Sequence, residues 1–307
     1  MTNIPELYQE DQKVISVELN PPRNGSSVEV IDQVVESLKD QGVRYFSVTH
    51  GAGGSLKGGT LPLTARLQDK HQVNAMAHLT CRWSSKAQIE DIVVDAQYLG
   101  IENILALRGD PPIEGNGMTK HPQSYKFASE FVEHLNRLKQ GKYMKRTNDY
   151  SNENYRKGNP FNHTITVACY PEGHQEARSL DDDVLYFKEK VDKGANLAIT
   201  QMIFDASKYK AFMDLCKQHD IDIPIIPGVY PLRSYRDIDF IPKKFGVSMP
   251  AEVYAETKGL KDKPEQFNEW SNEFTAQLVK DLFQYAPGVQ FYSMNDSARV
   301  SEIIKRI

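Results

Sequence analysis

Glu18 is the residue whose type and position most clearly suggest chemistry. It interrupts an otherwise apolar β-type stretch, Val14–Leu19, and a carboxylate in such a place is either paired or functional. Partial burial would raise the pKa of this carboxyl and suit it to donate a proton near neutral pH. The structural alternative is an ion pair with Arg108 or Arg23.

Polar residues also end the other predicted strands. Asp110 has a plainer interpretation as a turn residue before a proline pair, and His78 has one as a core histidine. The polar groups that end strands two to six are Thr49 and His50; His78, Thr80 and Cys81; Arg108, Gly109 and Asp110; Tyr170, Pro171 and Glu172; and Thr200 and Gln201.

This set is rich in hydrogen-bonding groups and poor in nucleophiles, which favours an enzyme that depends on a cofactor. Five possible metal ligands end strands, but no His-x-His pair follows the first strand, so we expect no metal. They are Glu18, His50, His78, Asp110 and His174. No strand carries a late lysine suited to Schiff-base chemistry.

Alternating strands and helices must position these residues. The hydrophobic pattern predicts eight strands, each followed by helix, in 307 residues, and such βα units form parallel sheets. The fold class is therefore predicted to be α/β, a (β/α)8 TIM barrel, whose chemistry gathers at the C-terminal strand ends. A doubly wound sheet is the alternative, but residues 20–25 and 51–59 lack the GxGxxG pattern that its nucleotide loop needs.

We expect one barrel domain over residues 1–307, with a polar, solvated insertion at about residues 141–162 that is rich in asparagine. The pattern also predicts a helical region from about residue 234 to residue 285. The 141–162 segment is the one that does not fit the strand–helix alternation.

Composition excludes several classes of protein. A net charge of −4 gives no basic field for nucleic acid, and no apolar run approaches the ~20 residues that cross a bilayer. The cysteines, Cys81, Cys169 and Cys216, lack CxxC spacing, and the first eleven residues lack the basic and apolar regions of a secretory signal. We therefore expect a cytoplasmic protein without disulfides.

Eight strings, in order along nearly the whole chain, carry a family resemblance. They are VELNPPR from residue 17, SVTHGAG from 47, AHLTC from 77, ILALRGDPP from 104, ACYPEGH from 168, KEKVDKGAN from 188, ITQ from 199 and IPG from 226. Together they resemble the methylenetetrahydrofolate reductase family of flavoproteins, and the LRGDPP and ITQ strings are the most specific.

The resemblance implies reduction of 5,10-methylenetetrahydrofolate to 5-methyltetrahydrofolate, a step of one-carbon metabolism toward methionine biosynthesis. A bound flavin, FAD rather than FMN, would be reduced by NADH or NADPH. Glu18 then matches the acid that protonates the folate as its five-membered ring opens to an iminium. Asp110 matches the carboxylate beside the flavin and pterin, and Gln201 matches a residue that contacts folate or nicotinamide.

Further residues match positions of the family's flavin pocket. Asp183 and Lys190, two turns apart on one predicted helix face, match positions that hold ribose and phosphates, as a lysine suits a diphosphate. The other matches are Thr49, His50, Ala52, His78, Arg108, Gly109, Asp110, Ala128, Tyr170, His174 and Ala177.

The chain departs from the family pattern on the folate side. Asp296 and Asp237 stand where the family has an arginine and a glutamine, and an aromatic residue that covers substrate falls near Phe240. Arg233, Arg236 or Arg299 could supply the missing cation. The departures leave two alternatives: a flavin oxidoreductase for another C1 carrier or one that takes electrons from a partner subunit, and a non-enzymatic flavin-binding subunit. We expect a homo-oligomer.

Overall fold

Eight parallel strands close on themselves to form the barrel. The computed structural model describes residues 3–9, 13–51, 58–111, 119–146 and 155–307. Within these residues the barrel strands are β1 Val14–Leu19, β2 Val43–Val48, β3 Asn74–Thr80, β4 Asn103–Leu107, β7 Thr164–Cys169, β8 Leu197–Met202, β9 Ile225–Val229 and β10 Gly288–Tyr292, and the strands of a separate antiparallel pair are β5 Lys142–Met144 and β6 Tyr155–Lys157. Each barrel strand pairs with its neighbours in chain order, and β10 closes on β1. The predicted TIM barrel is confirmed.

Helices separate the barrel strands along the chain. Over the described residues they are α1 Ile4–Leu7, α2 Glu29–Leu38, α3 Thr60–His71, α4 Lys86–Tyr98, α5 Ala128–Lys139, α6 Leu180–Asp192, α7 Ala206–Gln218, α8 Asp237–Phe245, α9 Ala251–Thr257, α10 Pro264–Leu282 and α11 Ser297–Ile304. The predicted helical region from residue 234 to residue 285 is thus three helices. None of the described helices has the length and apolar character that would let it span a membrane.

The sequence explains why these elements form. The barrel strands are buried on both sides, as in β2, where five of six residues are buried, because helices cover the outer face of a parallel sheet. Helix α4 begins at a capping box, in which the side chains of Ser85 and Gln88 each accept a hydrogen bond from the other residue's main-chain N–H. Helix α2 buries one apolar stripe.

The short helix α1, which the hydrophobic pattern did not predict, closes the N-terminal end of the barrel. Ile4, Leu7 and Tyr8 are buried against the lower barrel interior. The main-chain N–H of Ile4 donates to Asn103 Oδ1 at 3.1 Å, and the hydroxyls of Tyr8 and Tyr45 lie 2.9 Å apart. The N-terminal end is therefore packed, and the C-terminal end is left to bind ligands.

The described part of the 141–162 segment differs from the solvated insertion that its composition suggests. Strands β5 and β6 pair there, and Tyr143 and Phe161 are only 6% and 5% exposed. Tyr143 Oη donates to Asn159 O at 2.8 Å, and the N–H of Met144 donates to Glu90 on α4. Two buried aromatic side chains and part-buried hydrogen bonds between side chains and main chain thus fix the base of the segment to the barrel, despite its polar composition.

Candidate active site

The predicted site residues sit at the C-terminal ends of their strands. Glu18 and Gln201 are the penultimate residues of β1 and β8, while His78 lies two residues before the end of β3. Others directly follow β2, β4 and β7, among them Thr49, Arg108 and Tyr170. Because parallel strands of a closed barrel run the same way, these residues surround one mouth.

Glu18 is a carboxyl with no charged partner in the described part of the chain. In register it lies beside Ser47 of β2 and Tyr292 of β10. Burial raises its pKa to about 8, so the carboxyl is mainly protonated at neutral pH. Its proposed ion-pair partner Arg108 instead binds Glu176 at 2.6 Å. The structural alternative of a Glu18–Arg108 pair is therefore wrong, and the arrangement suits a proton donor.

Tyr292 forms the floor beside Glu18 and was not predicted as a site residue. Its hydroxyl donates to Thr200 O at 2.6 Å. Its ring lies so close to Gly228 that a Cβ there would come within 2.4 Å of Tyr292 Cε2. Gly228, the glycine of the IPG string, thus makes room for this ring. In the sequence, the one signal of such a close approach was a glycine within a strand.

Two neutral histidines lie next to each other in the mouth. Nδ1 of His50 accepts a hydrogen bond from the N–H of Thr80 at 3.1 Å, so the neutral ring carries its proton on Nε2. Burial lowers the pKa of His50; burial, with a smaller contribution from His50, lowers that of His78 to about 3. Nε2 of His78 is buried without a hydrogen-bond partner among the described residues, unlike a satisfied core histidine.

A cleft beside the mouth brings together half of the predicted flavin-pocket residues. Its volume is about 250 Å³, slightly below the roughly 300–1,000 Å³ of pockets that enclose a drug-sized ligand, so it would hold one part of a dinucleotide. The small side chains of Ala106 and Ala168 help to keep it open. The predicted residues that line it are Arg108, Ala128, Tyr170, His174, Ala177, Asp183 and Lys190.

Half-buried Lys190 and buried Asp183 bring opposite charges to this cleft, on one face of α6. Burial lowers the pKa of Lys190 and raises that of Asp183, each opposed in part by the other's charge. Lys190 Nζ donates to Ala168 O at 2.5 Å, which holds the ammonium at the end of β7. A cation so placed can bind an anionic group that enters the cleft.

The loop after β4 holds Gly109 and Asp110 at the rim. Gly109 has a φ of +91°, and a Cβ there would lie 3.2 Å from Thr80 Cβ and 3.4 Å from Trp83 Nε1, so glycine is favoured on both counts. Asp110 is exposed, and its charge adds to burial in raising the pKa of Tyr170. Asp110 is thus close to the cleft and open to a ligand.

The remaining predicted residues lie at the mouth but outside the cleft lining. Thr49 Oγ1 donates to Asn20 Oδ1 at 3.3 Å, and Gln201 Oε1 accepts from the N–H of Met202 at 3.0 Å. Gln201 shares a second, smaller cavity with Tyr170. Ala52 lies outside the described residues.

Of the unusual aspartates on the folate side, Asp296 is the N-cap of α11 and Asp237 is the first residue of α8. Asp296 accepts from the N–H of Arg299 at 3.1 Å and from its Nε at 3.3 Å. Arg299 also donates to Leu232 O and to a side chain of α10, so it is not a spare cation for substrate. Asp237 accepts from the N–H of Arg233 at 2.7 Å. Both aspartates are thus held by local hydrogen bonds at the start of a helix.

Comparison with known proteins agrees with this geometry. The family model for methylenetetrahydrofolate reductase matches residues 3–307. The chain is 32% identical over 284 residues to the 5,10-methylenetetrahydrofolate reductase of Escherichia coli, covering 92% of this chain and 86% of that protein. It is 29% identical over 302 residues to methylenetetrahydrofolate reductase (NADH) 1 of Arabidopsis thaliana, covering 95% of this chain and 48% of that protein.

The chain therefore spans about half the length of the plant relatives it matches. Among solved structures, an uncharacterised Clostridium thermocellum protein that binds two copies of 5-methyl-5,6,7,8-tetrahydrofolic acid superposes with a TM-score of 0.57 over 99% of both chains, at 12% identity. That likeness concerns the fold alone. On the match across residues 3–307, the chain belongs to the methylenetetrahydrofolate reductase family.

Proposed function

We propose that the protein reduces 5,10-methylenetetrahydrofolate to 5-methyltetrahydrofolate, with a bound flavin and with NADH or NADPH as the reductant. The observation that carries this proposal is Glu18, a carboxyl whose pKa burial raises to about 8 at the mouth of the barrel. A reductase that must first open a substrate ring needs an acid that is still protonated at neutral pH. Names of the relatives that include NADH or NADPH support a nicotinamide reductant.

The residues around the mouth fit a flavin dinucleotide. The buried Nε2 of His78 has no partner among the described residues and suits a polar edge of the flavin ring. Lys190 is a half-buried cation that shares this cleft with Arg108, Glu176 and Asp183, and its ammonium suits a phosphate. We favour FAD over FMN because the family resemblance implies FAD and because Arg108 and Lys190 place two cations in this cleft, which suits a diphosphate.

The protein's own residues then have distinct tasks. Glu18 donates a proton to the bridging nitrogen of the folate as the five-membered ring opens. Asp110, exposed at the rim, holds the pterin next to the flavin, and Gln201 contacts folate or nicotinamide in turn. When bound, the flavin supplies the hydride chemistry that these side chains cannot perform.

The test is a spectrum of the purified protein, followed by its two half-reactions measured anaerobically. We expect bound flavin, reduction of that flavin by NADH or NADPH, and reoxidation by methylenetetrahydrofolate. Glu18→Gln should lower the folate half-reaction by about 10²–10⁴-fold and leave flavin reduction nearly intact. Glu265→Gln, on the exposed start of α10, is the matched control.

A second candidate, supported by the absence of a family arginine at Asp296, is a flavin oxidoreductase for another C1 carrier or one fed by a partner subunit. Flavin reduction without reoxidation by methylenetetrahydrofolate would favour the first form, and flavin that no nicotinamide nucleotide reduces would favour the second. A homo-oligomer in the cytoplasm remains our expectation for the assembly and location. The free, buried thiols of Cys81, Cys169 and Cys216 agree with a reducing compartment.

A further inference from the structure

Arg82 is a cation at the barrel mouth whose side chain has no partner in the described part of the chain. It lies two residues beyond β3, and its main-chain carbonyl accepts from the N–H of His121 at 3.0 Å. Its Nε is sealed from solvent and donates to nothing that the structure describes. A buried, charged N–H without an acceptor costs free energy, so a ligand is the natural source of the missing acceptor.

Arg82 lies close to Arg108, a residue of the cleft lining. Cys81, next to it, donates from its N–H to Leu107 O at 3.0 Å and from Sγ to Arg108 O at 3.8 Å, so the end of β3 runs along the end of β4. Burial, followed by the charge of Arg108, lowers the pKa of Arg82. Glu176, a nearby carboxylate, is already bound to Arg108 at 2.6 Å.

Arg82, Arg108 and Lys190 together form an arc of cations, here called the cation arc. Lys190 is fixed at the end of β7 by Ala168 O, Arg108 directly follows β4, and Arg82 comes shortly after β3. Strands β7, β4 and β3 are neighbours in the barrel. Lys190 and Arg108 both line the cleft, so the arc leads from the cleft toward the mouth.

We propose that Arg82 binds a phosphate of a dinucleotide held along the cation arc. The inference rests on the proposed function, and it adds a binding residue that the resemblance does not supply. Phosphate is the favoured ligand chemistry because a guanidinium presents planar N–H donors that match its oxygens, and because a doubly anionic diphosphate relieves the repulsion between neighbouring cations. The phosphate belongs either to the bound flavin or to the nicotinamide nucleotide.

Flavins that differ only in their phosphates test the proposal. Apoprotein is titrated with riboflavin, FMN and FAD, which carry no, one and two phosphates, and flavin fluorescence reports binding. Arg82→Gln should weaken FAD binding by about 10–100-fold, the loss of a charge-assisted hydrogen bond, and leave riboflavin binding unchanged. Lys208→Gln, on the exposed face of α7, removes the same charge elsewhere and should leave both unchanged.

Stability of the apoprotein provides an independent readout. Because Arg82 lacks a partner and its Nε is buried, Arg82→Gln should unfold at the same urea concentration as the wild type or a higher one. A structural residue would give a lower midpoint. Arg82→Lys keeps the charge without the planar donors and should fall between wild type and Arg82→Gln in FAD affinity.

The possible results distinguish the two sources of the phosphate, and they distinguish failure of the Arg82 proposal from failure of the proposed function. Unchanged FAD affinity with a raised KM for the nicotinamide nucleotide assigns the phosphate to the reductant. Equal weakening of riboflavin and FAD, or no change in any ligand, overturns the proposal. If the wild type binds none of the flavins, the proposed function fails. Binding of inorganic pyrophosphate to the wild type and to Arg82→Gln, measured by calorimetry, then tests Arg82 separately. If Arg82 binds phosphate, the variant should lose pyrophosphate binding.

Discussion

The carboxyl of Glu18 determines the pH range in which the proposed reaction runs. Its pKa is raised to about 8 by burial, so it holds its proton below pH 8 and loses it above. We expect the folate half-reaction to fall above pH 8 in a single step, because the acid form is the donor. Flavin reduction by the nicotinamide nucleotide needs no such proton and should lack this step.

Rapid-reaction measurements of both half-reactions between pH 6 and pH 10 check this expectation. In Glu18→Gln the residual folate rate should no longer show the step near pH 8. If the step persists in that variant, another group causes it. If both half-reactions lose rate equally in Glu18→Gln, the residue is structural rather than an acid.

Lys190 should matter for holding the flavin more than for turnover. Its Nζ donates to Ala168 O at the end of β7, from where it can reach an anion in the cleft. Lys190→Ala should weaken FAD binding by about 10–100-fold, while turnover at saturating FAD changes less. Lys188→Ala is the control, since Lys188 on the same helix forms an exposed ion pair with Asp192, a contact of small worth.

FAD dissociation constants from fluorescence titration of the two variants decide between binding and turnover. An unchanged constant in Lys190→Ala would place the diphosphate elsewhere. A loss in both variants would point to a general disturbance of α6.

The elements that the sequence predicted well are those with a strong local pattern. Each barrel strand is a short apolar run that ends in polar residues, and α4 begins after Ser85, an N-cap residue that can be recognised in the sequence. Helix α1 was missed because its four residues are too few to show a periodic pattern. Its position also depends on partners far along the chain, such as Asn103 and Tyr45. The base of the 141–162 segment was missed because two buried aromatics outweigh its polar composition.

The site residues divide in the same way, into those with a local sequence signal and those that matter through contacts far along the chain. Glu18 stood out as a carboxylate within an apolar strand, which is a local signal. Tyr292, Trp83 and Arg82 gave no such signal, because their importance comes from residues far along the chain: Tyr292 packs on Gly228, and Trp83 faces the backbone of the β4 loop. Contacts between distant elements cannot be deduced from periodicity.

Asp296 is better understood as the N-cap of α11 than as a defect in substrate binding. Its side chain accepts from the N–H of Arg299 at 3.1 Å, one of the free donors at a helix start. Asp296→Arg should therefore lower the free energy of unfolding by about 0.5–2 kcal/mol and leave the KM for methylenetetrahydrofolate no lower than in the wild type. Asp296→Asn keeps a capping acceptor and should be close to wild type in stability.

Urea unfolding and steady-state kinetics of both variants test this interpretation. A lower KM in Asp296→Arg with unchanged stability would show instead that an arginine at this position binds the folate. The capping role would then be secondary.

The two ends of the barrel have different roles in the whole molecule. At the N-terminal end, Ile4, Leu7 and Tyr8 pack against the interior residues Tyr45 and Leu105. At the C-terminal end, several groups are left without protein partners in the described part of the chain, among them Nε2 of His78 and Nε of Arg82. Stability and ligand binding are thus built at opposite ends, as expected for this fold.

This separation predicts opposite effects for substitutions at the two ends. Ile4 is fully buried, so Ile4→Ala should lower the free energy of unfolding by about 2–5 kcal/mol and leave FAD affinity of the folded protein unchanged.

Glu18→Gln should slow the folate half-reaction by about 10²–10⁴-fold yet stabilise the protein at pH 9. The sign follows because the pKa of Glu18 in the folded protein, about 8, is above the usual value. As the pH rises past the usual carboxyl range, Glu18 loses its proton in the unfolded chain, whereas the folded protein must keep that proton or bury a charge. The wild type therefore loses stability between pH 5 and pH 8 relative to Glu18→Gln. Urea unfolding of wild type and both variants at pH 6 and pH 9 measures these differences. A Glu18→Gln variant that is less stable than wild type at pH 9 would contradict a raised pKa for Glu18 in the folded protein.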